Sequence, residues 1–228
     1  MRTDFIDTAA HEHLIQRLIE LVREKNRLGE TPRVLNIGAG RHLFNETQLC
    51  AEECQFLCDR IDVDDCALSH PSIGHCWQCS AEAMTPVPSE NYDLAFANYV
   101  LEHVPDLPQA AREIHRVLKP GGVLVVSVPN TAAPEFIVAR WTPLWLHKRL
   151  RGGESWEKQY SYRNIREFTA MFAEAGLQPV EVRHFPIMAW YASRVPLLGP
   201  LGRAYDAAIK RMRATRLMGN VFIMFEKS

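Results

Sequence analysis

The chain predicts an α/β fold built on a doubly wound, mostly parallel sheet of seven strands, a Rossmann-like arrangement carrying helical cap insertions. Three observations support this. From Arg33 onward, strand-like and helix-like patterns alternate. The strand candidates are near-continuous apolar runs, as strands covered by helices on both faces must be. The first of them, "VLNIG", stops in a turn holding Gly38 and Gly40, directly before a helix-like segment.

The elements follow in order. Leu14, Ile15, Leu18, Ile19 and Val22 recur at helical spacing, so residues 1–30 predict an amphipathic helix ended near Gly29. "RVLNIG" is the first strand, and "NETQLCAEEC" a helix after it. "FLCDRIDVD" is a second strand and "HCWQC" a weaker third; "YDLAFAN" is a fourth that enters the helix-like "YVLEHVPDLPQAAREIHRVL". "KPGG" places Pro and Gly at the central positions of a type II turn and feeds "VLVVSVPN", the fifth strand. "NIREFTAMFAEAGL" is a helix closed by Gly176, "QPVEVRHF" a sixth strand and "NVFIMFEK" a seventh. Residues 131–160 and 186–218 fit no standard crossover and are expected to be caps on one domain spanning 1–228, whose cofactor half is 33–130.

Composition narrows the function. A formal net charge of −1 over 228 residues offers no field to attract nucleic acid, so no such partner is expected. The N-terminal residues lack the apolar stretch of a secretory signal and no run reaches membrane-spanning length, which predicts a cytoplasmic protein. The six cysteines then read as free thiols. Cys76 and Cys79 have C-x2-C spacing, but the second pair that a zinc ribbon needs is absent, so no metal is expected.

Glycines after the first strand let a ligand approach the backbone at the crevice where strand order reverses. A dinucleotide fingerprint requires a small residue three positions after Gly40. Leu43 stands there and argues against a nicotinamide-dependent oxidoreductase. Asp62, followed by Asp64 and Asp65, closes the second strand where an acid would hold ribose hydroxyls.

The segments "VLNIGAG", "IDVDD", "SAEAMTPVPSENYDLAFANYVLEHVPD" and "EIHRVLKPGGVLVVSVPN", in this order over residues 33–130, resemble the class I S-adenosylmethionine-dependent methyltransferases, in particular the ubiquinone-biosynthesis-like group. The resemblance implies S-adenosylmethionine as cofactor and S-adenosylhomocysteine as product, and it makes the C-terminal strand a reversed seventh strand. It implies that Gly38, Ala39 and Gly40 lie under the methionine moiety and that Asp62 holds the ribose. Val63 would touch the adenine, Ser80, Ala81 and Glu82 would line its edge, and Asn98 would face the methyl-transfer side. Three positions depart from the pattern: Asn36, still expected among the cofactor-binding residues as a hydrogen-bond acceptor without charge, stands where an acid is common, His42 where a third glycine is expected, and Ser80 where an aspartate is common.

His103, after the fourth strand, is the candidate general base toward an acceptor hydroxyl, because an imidazole titrates in the useful range. His147, Tyr160 and Tyr162 are alternatives. Some relatives place a metal on two acids and a histidine here; Glu102 and His103 match, but Tyr99 occupies the first acid's position. Trp141, Trp145, Trp156 and Trp190 fall in the caps and suggest a small-molecule or lipid-linked acceptor. The stretch 194–216 places Leu201, Tyr205, Ala208, Ile209 and Met212 on one helical face against Arg203, Lys210, Arg211 and Arg213, a pattern suited either to peripheral membrane contact or to packing on its own domain. The function expected is methyl transfer, most simply to oxygen; the alternatives are a cofactor-binding protein without catalytic activity or, less well supported, the oxidoreductase.

Overall fold

In a β-strand, successive side chains point to opposite faces, so an unbroken apolar run must feed two cores. The computed structural model, which describes residues 8–141, 160–193 and 197–228, has that arrangement. In β1 (Arg33–Ile37), Val34 packs on one face and Leu35 and Ile37 on the other; in β4 (Tyr92–Asn98), Leu94 and Phe96 oppose Ala95 and Ala97. In β5 (Leu118–Pro129), Val125 opposes Leu124, Val126 and Val128. Helices α1 (Ala9–Arg27) and α2 (Phe44–Ala51) cover the first face. Helices α3 (Leu107–Val117) and α5 (Ile165–Glu174) cover the second, where Phe168, Phe172 and Phe225 stack with ring centroids 4.7 and 4.9 Å apart.

With β2 (Leu57–Asp62), β3 (Ile73–Gln78), β6 (Leu177–Phe185) and β7 (Asn220–Lys227), the sheet has the order β3-β2-β1-β4-β5-β7-β6. Strands β1 to β5 pair in parallel, and β7 runs antiparallel to both β5 and β6, as the reversed seventh strand should. The order turns back between β1 and β4, so the crevice lies at the carboxyl ends of those two strands.

The ends of the helices follow local chemistry. Thr8 caps α1 by accepting from the N–H of His11, and the chain leaves that helix through Gly29 at φ +77°. Asp106 and Asn164 cap α3 and α5 in the same way.

Several elements differ from expectation. The helix-like stretch 99–118 is broken: Leu101–His103 form a single 3₁₀ turn and α3 starts only at Leu107, because Pro105 disfavours a helical Val104 and Asp106 opens a new cap. His103 therefore sits on the 3₁₀ turn rather than on a helix. Strand β3 starts at Ile73 on the sheet edge, and its half-exposed side chains explain its weak pattern. Strand β5 reaches back to Leu118. Its register against β4 jumps from Tyr92↔Leu118 to Leu94↔Val123 to absorb the KPGG turn, with Gly121 at φ +70°.

The described part of the first cap is α4 (Pro134–Trp141); the expectations for Trp145, His147 and Trp156, and for the Trp141 side chain, lie outside the described residues. In the second cap, α6 (Met188–Ala192) crosses α7 (Gly199–Arg211) at Gly202, where a Cβ would come within 2.5 Å of Ala192. The Asp206 carboxylate accepts the N–H groups of Met188 and Ala189 at 3.1 and 2.8 Å. Gly202, Asp206 and Ile209 thus set the inward face, and the apolar face read from the sequence is split: Ile209 is buried, while Leu201 and Met212 are each 66% exposed. The cysteines, close in sequence, divide between the two faces of the sheet. Cys50, Cys54 and Cys58 pack with the α1/α2 core, Cys79 packs on the other, and all six are free thiols.

Candidate functional site

The first turn at the crevice is held by its neighbour strand. The N–H groups of Gly38 and Ala39 both donate to the Ile61 carbonyl at 2.9 and 3.0 Å, and the Gly40 N–H donates to Asp62 Oδ2 at 2.7 Å. Gly38 and Gly40 take φ +69° and +58°, values that L side chains rarely adopt. A Cβ on Gly38 would lie 2.3 Å from Val100 Cγ2, so this glycine lets the loop after β4 pack on the turn. A Cβ on Gly40 would meet nothing within 4 Å, leaving open space over the turn.

The residues that the resemblance singled out follow at the carboxyl ends of β2, β3 and β4. The other oxygen of Asp62 accepts from the Asp64 N–H at 2.9 Å, and each carboxylate oxygen keeps lone pairs for further donors. Val63 follows with 67% of its surface exposed, an apolar side chain available to a flat ring. Ser80 accepts the Glu82 N–H at 3.3 Å and donates its hydroxyl to Glu82 Oε2 at 3.1 Å; Glu82 Oε1 takes the N–H of Asp106, the α3 cap. Ser80 is thereby paired with the carboxylate two residues on, and Ala81 is buried between them. At the end of β4, Asn98 Oδ1 is buried without a hydrogen-bond partner.

Beneath the turn lies a network that the sequence reading did not anticipate. Asn36 Nδ2 donates to Glu46 Oε1 at 2.7 Å, and Arg60 Nε stands 3.1 Å from the same oxygen. The fully buried Arg60 also donates to the carbonyls of Ala39, Gly40 and His42 at 2.8, 3.3 and 2.7 Å. Its signal was available: an arginine within a strand, on the same face as the apolar Cys58 two residues before it.

Just past the carboxyl end of β4 lie Tyr99, Glu102 and His103. Tyr99 takes φ +54°, a strained value for a bulky residue. It is fixed by its N–H to the Ser127 carbonyl at 2.9 Å and by its hydroxyl against Thr8 Oγ1 at 2.8 Å. Glu102 is buried with Oε2 unpartnered, and burial pushes its carboxyl up to about 8, so it is a neutral acid at pH 7. His103 Nε2 lies 3.9 Å from Glu102 Oε1 and its ring stacks toward Tyr160 with centroids 6.5 Å apart. Burial lowers its pKa and favours the neutral imidazole that a proton acceptor needs. Tyr162 is tied elsewhere: its buried hydroxyl donates to the Pro129 carbonyl at 2.6 Å and burial raises its pKa, which removes it from the base candidates. Among the described residues no three His, Cys, Asp or Glu side chains form a metal cluster.

A doubly wound sheet with an open glycine turn, a strand-end carboxylate beside it, an exposed apolar residue next in line and an unpartnered Asn98 fits a nucleoside bearing an amino-acid tail. The sheet order is that of the S-adenosylmethionine-dependent methyltransferases of Rossmann-like fold. The chain belongs to the Methyltransferase domain family, whose model matches residues 8–182. It is 33% identical over 105 residues to a probable S-adenosylmethionine-dependent methyltransferase of Mycolicibacterium smegmatis, covering 45% of this chain and 40% of that protein. It is 27% identical over 175 residues to a demethylmenaquinone methyltransferase of Chlamydia trachomatis, covering 68% of this chain and 75% of that protein. Among solved structures, a Burkholderia thailandensis 1,6-didemethyltoxoflavin-N1-methyltransferase with bound S-adenosylhomocysteine shares the fold with a TM-score of 0.55 and 16% identity, covering 97% of this chain and 80% of that one. The protein is an S-adenosylmethionine-dependent methyltransferase. Among the described residues no helix is long and apolar enough to cross a membrane.

The buried Glu102 makes a stability prediction. Its carboxyl titrates near 8 when folded and near the ordinary carboxyl range when unfolded, so its contribution is fully present at low pH and is lost as pH rises toward 8. Urea unfolding from pH 5 to pH 8 should show the wild type losing about 2–4 kcal/mol relative to Glu102→Gln. Parallel pH profiles for the two proteins would show that Glu102 ionises normally.

Proposed function

We propose that the protein transfers the methyl group of S-adenosylmethionine to oxygen of a small-molecule or lipid-linked acceptor, within one domain whose caps, residues 131–160 and 186–218, shape the acceptor site. The observation that carries this reading is His103, an imidazole kept neutral by partial burial beside Glu102 and Tyr160 at the open end of β4. Bound there, S-adenosylmethionine would supply a methyl group activated by its positively charged sulfur, which would keep the bonding pair as the acceptor oxygen takes the methyl, and His103 would take the hydroxyl proton. The sulfonium is already activated, so positioning supplies much of the rate. In the same reading Gly38, Ala39 and Gly40 underlie the methionine part of the cofactor, Asp62 holds its ribose, Val63, Ser80, Ala81 and Glu82 surround its adenine, and Asn98 lies on the methyl side.

The lipid-linked alternative rests on the second cap. Leu197, 92% exposed, with Leu198, Leu201 and Met212, stands among Arg203, Lys210, Arg211 and Arg213 on and beside α7. Exposed apolar residues interspersed with cations suit the surface of an anionic bilayer, and we assign a peripheral contact to 194–216.

Calorimetric titration is expected to give micromolar binding of S-adenosylmethionine and S-adenosylhomocysteine and none of NAD; binding of NAD alone would overturn the reading. With an acceptor identified by radiolabelled methyl incorporation, His103→Gln should lower turnover at pH 7 by about 10²–10⁴-fold and leave S-adenosylhomocysteine affinity within about twofold. Undiminished turnover would end the base role. The wild type should sediment with vesicles rich in anionic phospholipid, and Leu201→Ser with Met212→Ser should not; absence of wild-type binding would remove the membrane contact.

A further inference from the structure

The Glu46–Arg60 pair has no account in the fold alone. Removing two charges from water costs several kcal/mol per ion, and a buried pair seldom recovers more than its own desolvation. Both side chains are nonetheless fully buried, on the α2 face of β1 and β2. Arg60 has an evident use: it stands beside Asn36 in the β1–β2 register, and its guanidinium holds three carbonyls of the glycine turn and, through Nη1, that of Cys66 at 3.0 Å. Glu46 balances that charge with one oxygen only. Oε1 faces both Asn36 Nδ2 and Arg60 Nε, whereas Oε2 is buried with no hydrogen-bond partner. A buried, unpartnered carboxylate oxygen is costly unless a donor arrives to meet it, and a cationic donor meets it best.

S-adenosylmethionine carries one such group, the ammonium of its amino-acid end. Glu46 projects from the first turn of the helix that directly follows the glycine turn. We infer that Glu46 is the counter-charge for the cofactor's ammonium, with Asn36 and Arg60 as positioning residues that hold its carboxylate and the turn in one unit. This rests on the cofactor assignment above. It specifies which end of the cofactor the buried pair serves, and it accounts for Asn36 on β1 having turned its amide toward α2.

The test compares two probes, S-adenosylhomocysteine, which has the ammonium, and 5′-methylthioadenosine, which lacks the amino-acid end. Glu46→Gln should weaken the first by about 10–100-fold, the range of a hydrogen bond to a charged group, and leave the second within about twofold. Returning the carboxylate to β1 in the double variant Asn36→Asp with Glu46→Gln should restore most of the lost affinity, because a carboxylate would again lie beside Arg60. Thermal unfolding by circular dichroism checks that each variant is folded. Equal weakening of both probes, or no weakening of the first, overturns the inference, as does a folded double variant without recovery. If neither variant folds, the wild type is titrated with S-adenosylhomocysteine and its deaminated analogue; a large preference for the amine supports the assignment and equal affinity overturns it. A wild type that binds neither probe would fail the cofactor assignment itself, a separate outcome.

Discussion

The grip of β2 on the first turn governs the rest of this molecule. Three consecutive residues act on it from different sides. Arg60 takes carbonyls from beneath, the Ile61 backbone accepts two N–H groups at the strand end, and the Asp62 carboxylate accepts a third. Alternation along the strand makes this possible, since Arg60 faces the α2 layer while Ile61 enters the opposite core. The turn can therefore be built of residues with little side chain and still be held in a left-handed backbone conformation, because its polar groups are bonded by a neighbouring strand that is itself hydrogen-bonded on both edges.

The same two-sided layering explains what could be read from the chain before its structure. Apolar runs such as Leu94–Ala97 and Leu124–Val126 indicate burial on both faces, hence a parallel sheet with helices on either side, and the glycine turn and Asp62 indicate the crevice. These are local patterns and survive folding intact. The break before α3 was less legible because Tyr99 to His103 have helix-like spacing, and only Pro105 and the Asp106 cap reveal the interruption.

Other features depend on contacts that no local pattern encodes. The facing of α7 is set by Gly202 crossing α6 and by Asp206 capping it, so the face carrying Leu201 and Met212 turns to solvent although its periodicity matches an inward stripe. The Glu46–Arg60 pair joins residues 14 apart on different elements, and nothing in the sequence between them requires that they meet. In the sequence Glu102 reads only as one acid of a metal pattern that Tyr99 interrupts, yet its burial makes it a strongly perturbed acid.

The bond between Thr8 and Tyr99 has a mechanical meaning. Thr8 caps α1, and its hydroxyl meets the phenol of a residue 91 positions away whose backbone is strained just past the end of β4. The Ser127 hydroxyl donates to the Ala10 carbonyl, so β5 fastens the same first turn of α1 a second time. The opening helix, which otherwise covers one face of the sheet, is thus pinned at its start to the segment that follows β4 and to β5. A displacement of α1 along its axis would be transmitted directly to the strained backbone at Tyr99.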